Sequence, residues 1–461
     1  MRLHFIAIGG SAMHNLAIAL HKKGYKITGS DDEVFEPSKS RLSKHGLLPA
    51  KEGWDENNIT PDLDAVILGM HARAENPELI KAKELGIKIY SYPEYIYEQS
   101  KNKLRVVIGG SHGKTTITAM IMHVLRDAHL NFDYMVGAQL DGFDTMVKIT
   151  DEASIIILEG DEYLSSPIDR RPKFHLYKPD IALISGIAWD HINVFPTYED
   201  YVEQFRIFAN MVPDGGSLIY CSDDAEVSRI CNEVTKAVYK FPYHLPEYTI
   251  EDGITYLIDN SDEGQVKHPL QIFGEHNLQN LEGAREVCNR LSITGWKFYN
   301  SIQKFTGAAR RLELLGRNDR TVIYKDFAHS PSKLKATTHA VKNQYPERQL
   351  IACMELHTFS SLNENFLQEY KNSMQDADSA FVYFNPHTIE HKKLKAVTPE
   401  QVKTAFGKGN ITVFTDAKTM IDRLKEMDWN NKVLLMMSSG NFDGVNLNEF
   451  SKEILEKGEL V

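Results

Sequence analysis

The sequence is poor in cysteine and contains no long apolar run. Its 461 residues include four cysteines, Cys221, Cys231, Cys288 and Cys353, and no two of them form a Cys-x-x-Cys pair. A chain of this length does not need disulfides to hold its core, so we expect a reducing compartment. No segment approaches the ~18 apolar residues that cross a bilayer. The sequence therefore predicts a cytoplasmic protein with no membrane partner.

Positive charge is also in short supply. The chain carries 52 Lys and Arg against 63 Asp and Glu, which gives a formal net charge of −11. Nucleic acids and anionic membranes are bound by a net basic face, so this balance disfavours both as partners. Hydrophobic residues at 42% and charged residues at 25% exclude a mainly disordered, collagen-like or coiled-coil chain. A local basic pocket for a phosphorylated small molecule is compatible with these numbers.

Short apolar strands that run into glycine-rich or polar turns begin several parts of the chain. Leu3–Ile8 leads to Gly9 and Gly10, and Leu104–Ile108 leads to a second glycine-rich turn. Strands that alternate with helical patterns are typical of parallel sheets. We therefore predict an α/β fold with three domains: N-terminal Rossmann-like (1–100), central P-loop ATPase-like (101–306) and C-terminal Rossmann-like (307–461).

The second glycine-rich turn is the strongest local signal. It fits the short pattern G-x-x-G-K-[ST], whereas the common longer form would require glycine where Ile108 stands. In such a turn the backbone N–H groups and the helix N-terminus face a triphosphate, the lysine reaches the β/γ-phosphates and the hydroxyl can bind Mg²⁺. The predicted ATP-binding residues are Gly110, Ser111, His112, Gly113, Lys114, Thr115 and Thr116.

Acidic residues follow the apolar strand Ile155–Leu158. Three carboxylates within residues 159–162 are costly beside a buried strand unless a cation balances them. This predicts Glu159 as a partner of Thr115 in holding Mg²⁺, with a solvated acidic loop as the alternative. His191 follows the next apolar strand and is a further candidate ligand, or else a structural histidine.

The first glycine-rich turn, Gly9-Gly10-Ser11, indicates a diphosphate at a helix N-terminus. Asp31 stands about twenty residues on, where an acid can accept a ribose hydroxyl. The pattern lacks a third glycine and suits a UDP compound or a dinucleotide equally. A plain β–α turn is the third possibility.

Taken together and in this order, the motifs resemble those of the Mur ligases, which use ATP to add amino acids or peptides to UDP-N-acetylmuramic acid. The resemblance covers nearly the whole chain. Besides the turns and acids above, it rests on Gly29-Ser30-Asp31, Asp190-His191, His276–Asn280, Arg310–Glu313 and Asp326–His329.

The resemblance implies a role for each matching residue. The implied catalytic residues are Lys114, Glu159, His191 and His329. Mg²⁺ would be held by Thr115, Glu159 and His191. Further contacts to ATP would come from Asn277, Asn280, Arg311 and Asp326. The UDP-sugar would be bound by Gly9, Gly10, Ser11, Ser30, Asp31 and His71.

Within the family, the chain is similar to the murein peptide ligases. The similarity lies in residues 162–175, 326–329 and 437–444. It implies ligation of the cell-wall tripeptide L-alanyl-γ-D-glutamyl-meso-diaminopimelate to UDP-N-acetylmuramate in peptidoglycan recycling. UDP-N-acetylmuramate–L-alanine ligation is the main alternative, and an alternative of another class is a non-catalytic protein that binds ATP and a UDP-sugar.

The chain also departs from the family pattern. Family members usually carry asparagine and glutamate near the sites of Gly186 and Ala188, and histidine where Ser330 stands. Arg206 occupies the place of a lysine that some Mur ligases carbamylate, so we predict no such modification. Residues 355–361, near the expected site of the amine, lack the arginine-serine-asparagine pattern of the recycling enzymes.

Overall fold

A computed structural model of the chain describes residues 1–140, 142–189, 194–251, 253–261, 264–307, 312–407 and 409–457. The chain packs into two compact units, Met1–Leu245 with Gln279–Ile302, and Pro246–Leu278 with Gln303–Val461. Within the described ranges, no helix is both long enough and apolar enough to span a bilayer.

The first sheet of the first unit has four parallel strands in the order β2-β1-β3-β4. Helix α3 begins at a local signal, because Pro77 stands in its first turn and the Asn76 side chain accepts the N–H groups of Glu78 and Leu79. The elements are β1 (Arg2–Ile6), α1 (Ser11–Lys22), β2 (Lys26–Ser30), α2 (Ser38–Lys44), β3 (Ala65–Leu68), α3 (Pro77–Glu84), β4 (Ile89–Ser91) and α4 (Tyr92–Ser100).

The second sheet of this unit has seven strands in the order β11-β10-β9-β5-β8-β6-β7, all parallel except β7. Its central strands are apolar runs, as expected of a parallel sheet covered on both faces. The elements are β5 (Leu104–Gly109), α5 (Lys114–Asp127), β6 (Asp133–Met135), β7 (Val147–Lys148), β8 (Ile155–Glu159), α6 (Lys173–Leu176), β9 (Ile181–Ile184), α7 (Tyr198–Met211), β10 (Ser217–Cys221), α8 (Ala225–Asn232) and β11 (Tyr239–Tyr243).

The second unit contains two sheets. Three antiparallel strands, β12 (Tyr248–Glu251), β13 (Ile254–Ser261) and β14 (Gly264–Leu270), form the first. Two helices, α9 (Glu275–Arg290) and α10 (Trp296–Ile302), follow in the chain; α9 begins in the second unit, and residues 279–302 belong to the first.

The other sheet of the second unit has the strand order β15-β16-β20-β17-β18-β19, and only β15 runs antiparallel to its neighbour. The elements are β15 (Glu313–Arg317), β16 (Thr321–Asp326), α11 (Pro331–Gln344), β17 (Gln349–Glu355), β18 (Ser379–Tyr383), α12 (Pro386–His391), α13 (Pro399–Phe406), β19 (Ile411–Phe414), α14 (Ala417–Glu426), β20 (Lys432–Met437) and α15 (Leu447–Lys457).

Candidate functional site

The glycine-rich turn connects β5, in the middle of the seven-stranded sheet, to the N-terminus of α5. Gly110 and Gly113 have φ angles of +135° and +78°, a region that favours glycine. A Cβ on Gly110 would collide with the Ser185 side chain, and one on Gly113 with the side-chain oxygen of Asn280. Both glycines are therefore required by the backbone conformation and by close packing.

Backbone hydrogen bonds fix this turn to the end of the neighbouring strand β9. The Ser185 N–H donates to the Gly109 carbonyl at 3.1 Å, and the Ser111 N–H donates to the Gly186 carbonyl at 3.0 Å. The Ser185 hydroxyl also donates to the His112 carbonyl. The turn is thus held open at the helix N-terminus, which is the geometry that binds a phosphate.

Lys114 is the first residue of α5, and its ammonium lies at the mouth of the turn. The Lys114 Nζ atom is 2.6 Å from the Gly110 carbonyl oxygen and 2.6 Å from Glu162 Oε2. Burial by itself lowers the pKa of Lys114, but the charges of Glu162 and Asp161 outweigh it, so the pKa is raised overall. The side chain is therefore a fixed cation.

Thr115, the second residue of α5, meets Glu159, the last residue of β8. The Thr115 hydroxyl donates to Glu159 Oε1 at 2.8 Å, and the Gly137 N–H donates to Glu159 Oε2 at 2.7 Å. Burial raises the pKa of Glu159, although the hydrogen bonds from Gly137 and Thr115 oppose it. A buried carboxylate of this kind is stabilised in its ionised form by a nearby cation.

A hydroxyl and a carboxylate in contact are hard oxygen donors, and they fit Mg²⁺. The described residues contain no cluster of three or more His, Cys, Asp or Glu side chains able to hold a metal by themselves. Mg²⁺ is commonly bound by one or two carboxylates together with waters and substrate phosphates. Thr115 and Glu159 fit that mode, and His191 lies outside the described residues.

The other two carboxylates of the acidic segment pair with different partners. Asp161 Oδ2 lies 2.5 Å from the Lys173 Nζ atom. Glu162 accepts the Tyr201 hydroxyl through Oε1 at 3.1 Å, while its other oxygen contacts Lys114. Each of the three acids is thus compensated by at least one neighbouring cation or hydrogen-bond donor.

The departure at Gly186 has a packing reason. A Cβ there would lie 2.7 Å from His112 Nε2, so the imidazole occupies the space of any longer side chain. Ser111 Oγ lies 2.9 Å from His112 Nδ1 and accepts the Ala188 N–H at 2.8 Å. In this chain, the turn itself supplies the polar groups at this place.

The residues predicted for a UDP-sugar are arranged around the end of β1. The Gly9 N–H donates to Asp31 Oδ2 at 2.6 Å, and burial, as the largest cause, raises the pKa of Asp31 to about 6. The Ser30 hydroxyl is buried and donates to Glu78, so it faces the protein interior. His71 is exposed in the loop after β3. Gly10 and Ser11 lie at the N-terminus of α1.

The remaining predicted contacts to ATP fall in several places. Asn280 packs against Gly113 in the first unit. The Asn277 side chain, in the first turn of α9, donates to the Phe273 carbonyl four residues earlier at 2.9 Å. Thr116 is buried on α5.

Two further predicted residues lie in the second unit, and one cannot be placed. Asp326 ends β16 and accepts the N–H groups of Leu312 and Ala328 at 2.6 and 2.7 Å. His329 Nδ1 lies 2.8 Å from the Phe327 carbonyl oxygen. Arg311 lies outside the described residues.

Sequence reasoning missed several polar residues around the turn. Tyr201 stands on α7, 39 residues beyond Glu162, and no short motif marks it. Ser185 is the residue that follows β9, a position where polar side chains often serve a site in parallel sheets. That position was the one signal that could have identified Ser185.

The segment that the sequence places near the amine, residues 355–361, begins at the end of β17 in the second unit, where Glu355 has a contact that the sequence did not predict. Glu355 is buried, accepts the Phe442 N–H at 2.8 Å and the Ser438 hydroxyl, and lies 3.6 Å from His357 Nδ1. Burial raises the pKa of Glu355, but the hydrogen bonds from His357, Ser438 and Phe442 outweigh it, so the pKa is lowered. The carboxylate is therefore ionised.

Relatives of this chain are found by sequence and by structure. A UDP-N-acetylmuramate–L-alanine ligase from a Sulfurihydrogenibium species is 30% identical over 95% of both chains, and one from Clostridium kluyveri is 32% identical over 80% of this chain and 81% of its own. The Thermotoga maritima UDP-N-acetylmuramate–alanine ligase has a TM-score of 0.69 at 18% identity, covering 100% of this chain and 99% of its own. A murein peptide ligase from Psychrobacter arcticus has a TM-score of 0.64 at 20% identity over 99% of both.

Family models divide the chain in the same way as its parallel sheets. They match as Mur ligase family catalytic domain (2–103), Mur ligase middle domain (108–288) and Mur ligase glutamate ligase domain (310–440). The predicted α/β class with three domains is confirmed, whereas the boundaries at residues 100 and 306 stay predictions. The chain belongs to the Mur ligase family and is an ATP-dependent ligase that joins a carboxylate to an amine.

Proposed function

We propose that this chain joins the carboxylate of UDP-N-acetylmuramate to the amine of L-alanine at the expense of ATP, through an acyl phosphate. The observation that carries the proposal is that Lys114 and Thr115 begin the helix after the glycine-rich turn, and that the Thr115 hydroxyl donates to Glu159 at the end of the adjacent strand β8. The names of the sequence relatives support the sugar nucleotide and the amine. Peptidoglycan-precursor synthesis of this kind is consistent with the cytoplasmic location predicted from the sequence.

The reaction needs activation because a carboxylate is a poor acyl donor. Transfer of the γ-phosphoryl group of ATP to a carboxylate oxygen releases ADP and makes a mixed anhydride. The amine then attacks the carbonyl carbon, loses a proton and expels inorganic phosphate. Both steps depend on positioning and on neutralising phosphate charge.

Residues of the glycine-rich turn have the first role in this proposal. The backbone N–H groups of the turn bind phosphate oxygens, and Lys114 donates to the β/γ-phosphates. Thr115 and Glu159 would hold Mg²⁺, with His191 as a further ligand. When bound, the ion would neutralise phosphate charge. His112 and Ser111 shape the side of the turn that faces β9.

Residues outside the glycine-rich turn are proposed to contribute to the ATP site and to the UDP-sugar site. Asn277, Asn280, Arg311 and Asp326 are proposed for the ATP site. Both Asp326 oxygens accept backbone N–H groups, from Leu312 and Ala328, so its proposed role is to order these two residues. His329 is proposed to lie beside the amine or the γ-phosphate. Gly9, Gly10, Ser11, Ser30, Asp31 and His71 are proposed for the UDP-sugar, with Ser30 acting through its contact with Glu78.

The amine site is proposed at the end of β17. Glu355 presents an ionised carboxylate there, and His357 lies beside it. A carboxylate attracts the ammonium group of an amino acid, which later loses a proton and becomes the attacking amine. The tripeptide is the second candidate for the amine, because residues 162–175 and 437–444 resemble those of the murein peptide ligases.

A second function of another class, a non-catalytic ATP and UDP-sugar binder, is motivated by Gly186, Ala188 and Ser330. It requires tight binding of both ligands without any product.

A single experiment separates the possibilities: the protein is incubated with ATP, Mg²⁺ and UDP-N-acetylmuramate, and L-alanine, the dipeptide or the tripeptide is added separately. We expect L-alanine to give the amidated sugar nucleotide by mass spectrometry, and Lys114→Ala to abolish ADP release. A rate of ADP release that does not depend on the sugar nucleotide or on the amine would refute the ligase proposal.

A further inference from the structure

Glu162 is the most buried carboxylate beside the phosphate-binding turn, and none of the roles proposed above uses it. It is 1% exposed, compared with 9% for Glu159. Its two oxygens are held from different sides: Oε2 lies 2.6 Å from Lys114 Nζ, and Oε1 accepts the Tyr201 hydroxyl at 3.1 Å. A buried carboxylate bonded in this way has little freedom to rotate.

The contacts of Lys114 account for the direction of its ammonium group. An ammonium has three N–H donors. In the described part of the chain, the Gly110 carbonyl and Glu162 accept two of them, each at 2.6 Å. One donor is then left for a phosphate oxygen, and its direction is set by the other two. The neighbouring Asp161 pairs with Lys173.

We propose that Glu162 is a positioning residue that aims the Lys114 ammonium at the transferred phosphoryl group, and that Tyr201 holds Glu162 in place. The inference rests on the proposed function, because the phosphoryl group is that of ATP bound in the turn. Glu162 also competes with the triphosphate for Lys114 and repels its charge. Glu162 therefore weakens the binding of ATP and accelerates the transfer of its γ-phosphoryl group.

The variants Glu162→Gln and Tyr201→Phe are therefore expected to lower kcat without weakening the binding of ATP. In Glu162→Gln we expect kcat to fall at least about 10-fold, because a misaimed group loses its effect steeply with distance. KM for ATP and the affinity for a non-hydrolysable ATP analogue with Mg²⁺ should be unchanged or improved. Tyr201→Phe should lower kcat in the same way but by less, because Glu162 keeps its contact with Lys114.

Matched controls come from the same helix as Tyr201. Glu203 is exposed on α7 and pairs with Arg206, and Tyr198 begins that helix. Glu203→Gln and Tyr198→Phe should therefore retain the kcat and KM of the parent protein. If Glu162→Gln does not fold, Tyr201→Phe decides by the same two readouts.

A weaker affinity for the analogue with kcat retained, or equal loss of both, would overturn the inference, as would parental kinetics in both variants. If the parent protein releases no ADP in the presence of UDP-N-acetylmuramate and any of the three amines, the proposed function has failed. In that case the analogue affinity alone decides: tighter binding by Glu162→Gln supports the competition between Glu162 and the triphosphate for Lys114, and unchanged or weaker binding refutes it.

Discussion

The side-chain oxygen of Asn280 lies where a Cβ on Gly113 would stand. Asn280 belongs to α9 and Gly113 caps the N-terminus of α5, so the two helices leave no space for a side chain in the turn. Gly113 also has a φ of +78°, which is unfavourable for any L-residue by about 1–2 kcal/mol. Packing and backbone conformation act at the same residue.

We predict that Gly113→Ala lowers ATP-dependent turnover by roughly 10–100-fold, because the loop shifts away from the phosphate geometry. The double variant Gly113→Ala with Asn280→Ala should unfold at a higher temperature than Gly113→Ala, since it relieves the collision but keeps the unfavourable φ. ADP release measures the loss in Gly113→Ala, and thermal unfolding compares the single variant with the double variant. Full activity in Gly113→Ala alone would contradict this view of the turn.

A second prediction concerns Gly186, one of the departures from the family pattern. Because the His112 imidazole fills that space, Gly186→Asn should overpack the site and destabilise the protein by about 1–3 kcal/mol. Adding His112→Ala should restore most of the stability by making room. Thermal unfolding of the two variants tests this, and a more stable Gly186→Asn protein would show that the space is available.

A third prediction follows from the pKa of Asp31, which burial raises to about 6. In the unfolded chain an aspartate titrates near its usual value of about 4, so the folded state holds this proton more tightly between those pH values. Stability contributed here is therefore lost as pH rises from about 4 to 6. Asp31→Asn should gain unfolding temperature relative to the parent at pH 7.5 but little at pH 4. The opposite trend would mean that the folded protein prefers the ionised form.

The fourth prediction concerns metal dependence. Glu159→Gln removes the negative charge beside the Thr115 hydroxyl but keeps a side chain of the same shape. The Mg²⁺ concentration that gives half-maximal ADP release should rise at least about 10-fold, since Mg²⁺ prefers carboxylate oxygens. Glu203→Gln provides the matched change at an exposed site. Equal Mg²⁺ dependence in Glu159→Gln and the parent would remove Glu159 from the metal site.

The sequence predicts those parts of the site that follow from strand ends. Ile155–Leu158 and the acid after it, together with the strand that precedes Lys114, place Glu159 beside Thr115, because adjacent parallel strands end at the same edge of a sheet. Strands β5 and β8 begin at the predicted residues, Leu104 and Ile155, and each ends one residue later than predicted. Helix α5 begins at Lys114, directly after Gly113, which stands at its N-cap.

Contacts between distant segments could not be predicted in this way. The Tyr201–Glu162 bond and the Asn280–Gly113 contact depend on how α7 and α9 pack, and neither leaves a periodic or local signal. Ser30 was predicted from its motif alone, but its hydroxyl faces the interior and binds Glu78. A motif identifies the strand end, whereas tertiary packing decides which way each side chain points.

The central claim is that a carboxylate is activated by phosphoryl transfer, and isotope transfer tests it directly. UDP-N-acetylmuramate carrying ¹⁸O at both carboxylate oxygens is incubated with the protein, ATP, Mg²⁺ and L-alanine, and the released phosphate is analysed by mass spectrometry. We predict one ¹⁸O atom in each phosphate, because the oxygen bridging carbon and phosphorus leaves with phosphorus. Unlabelled phosphate formed along with the amide would contradict the acyl phosphate.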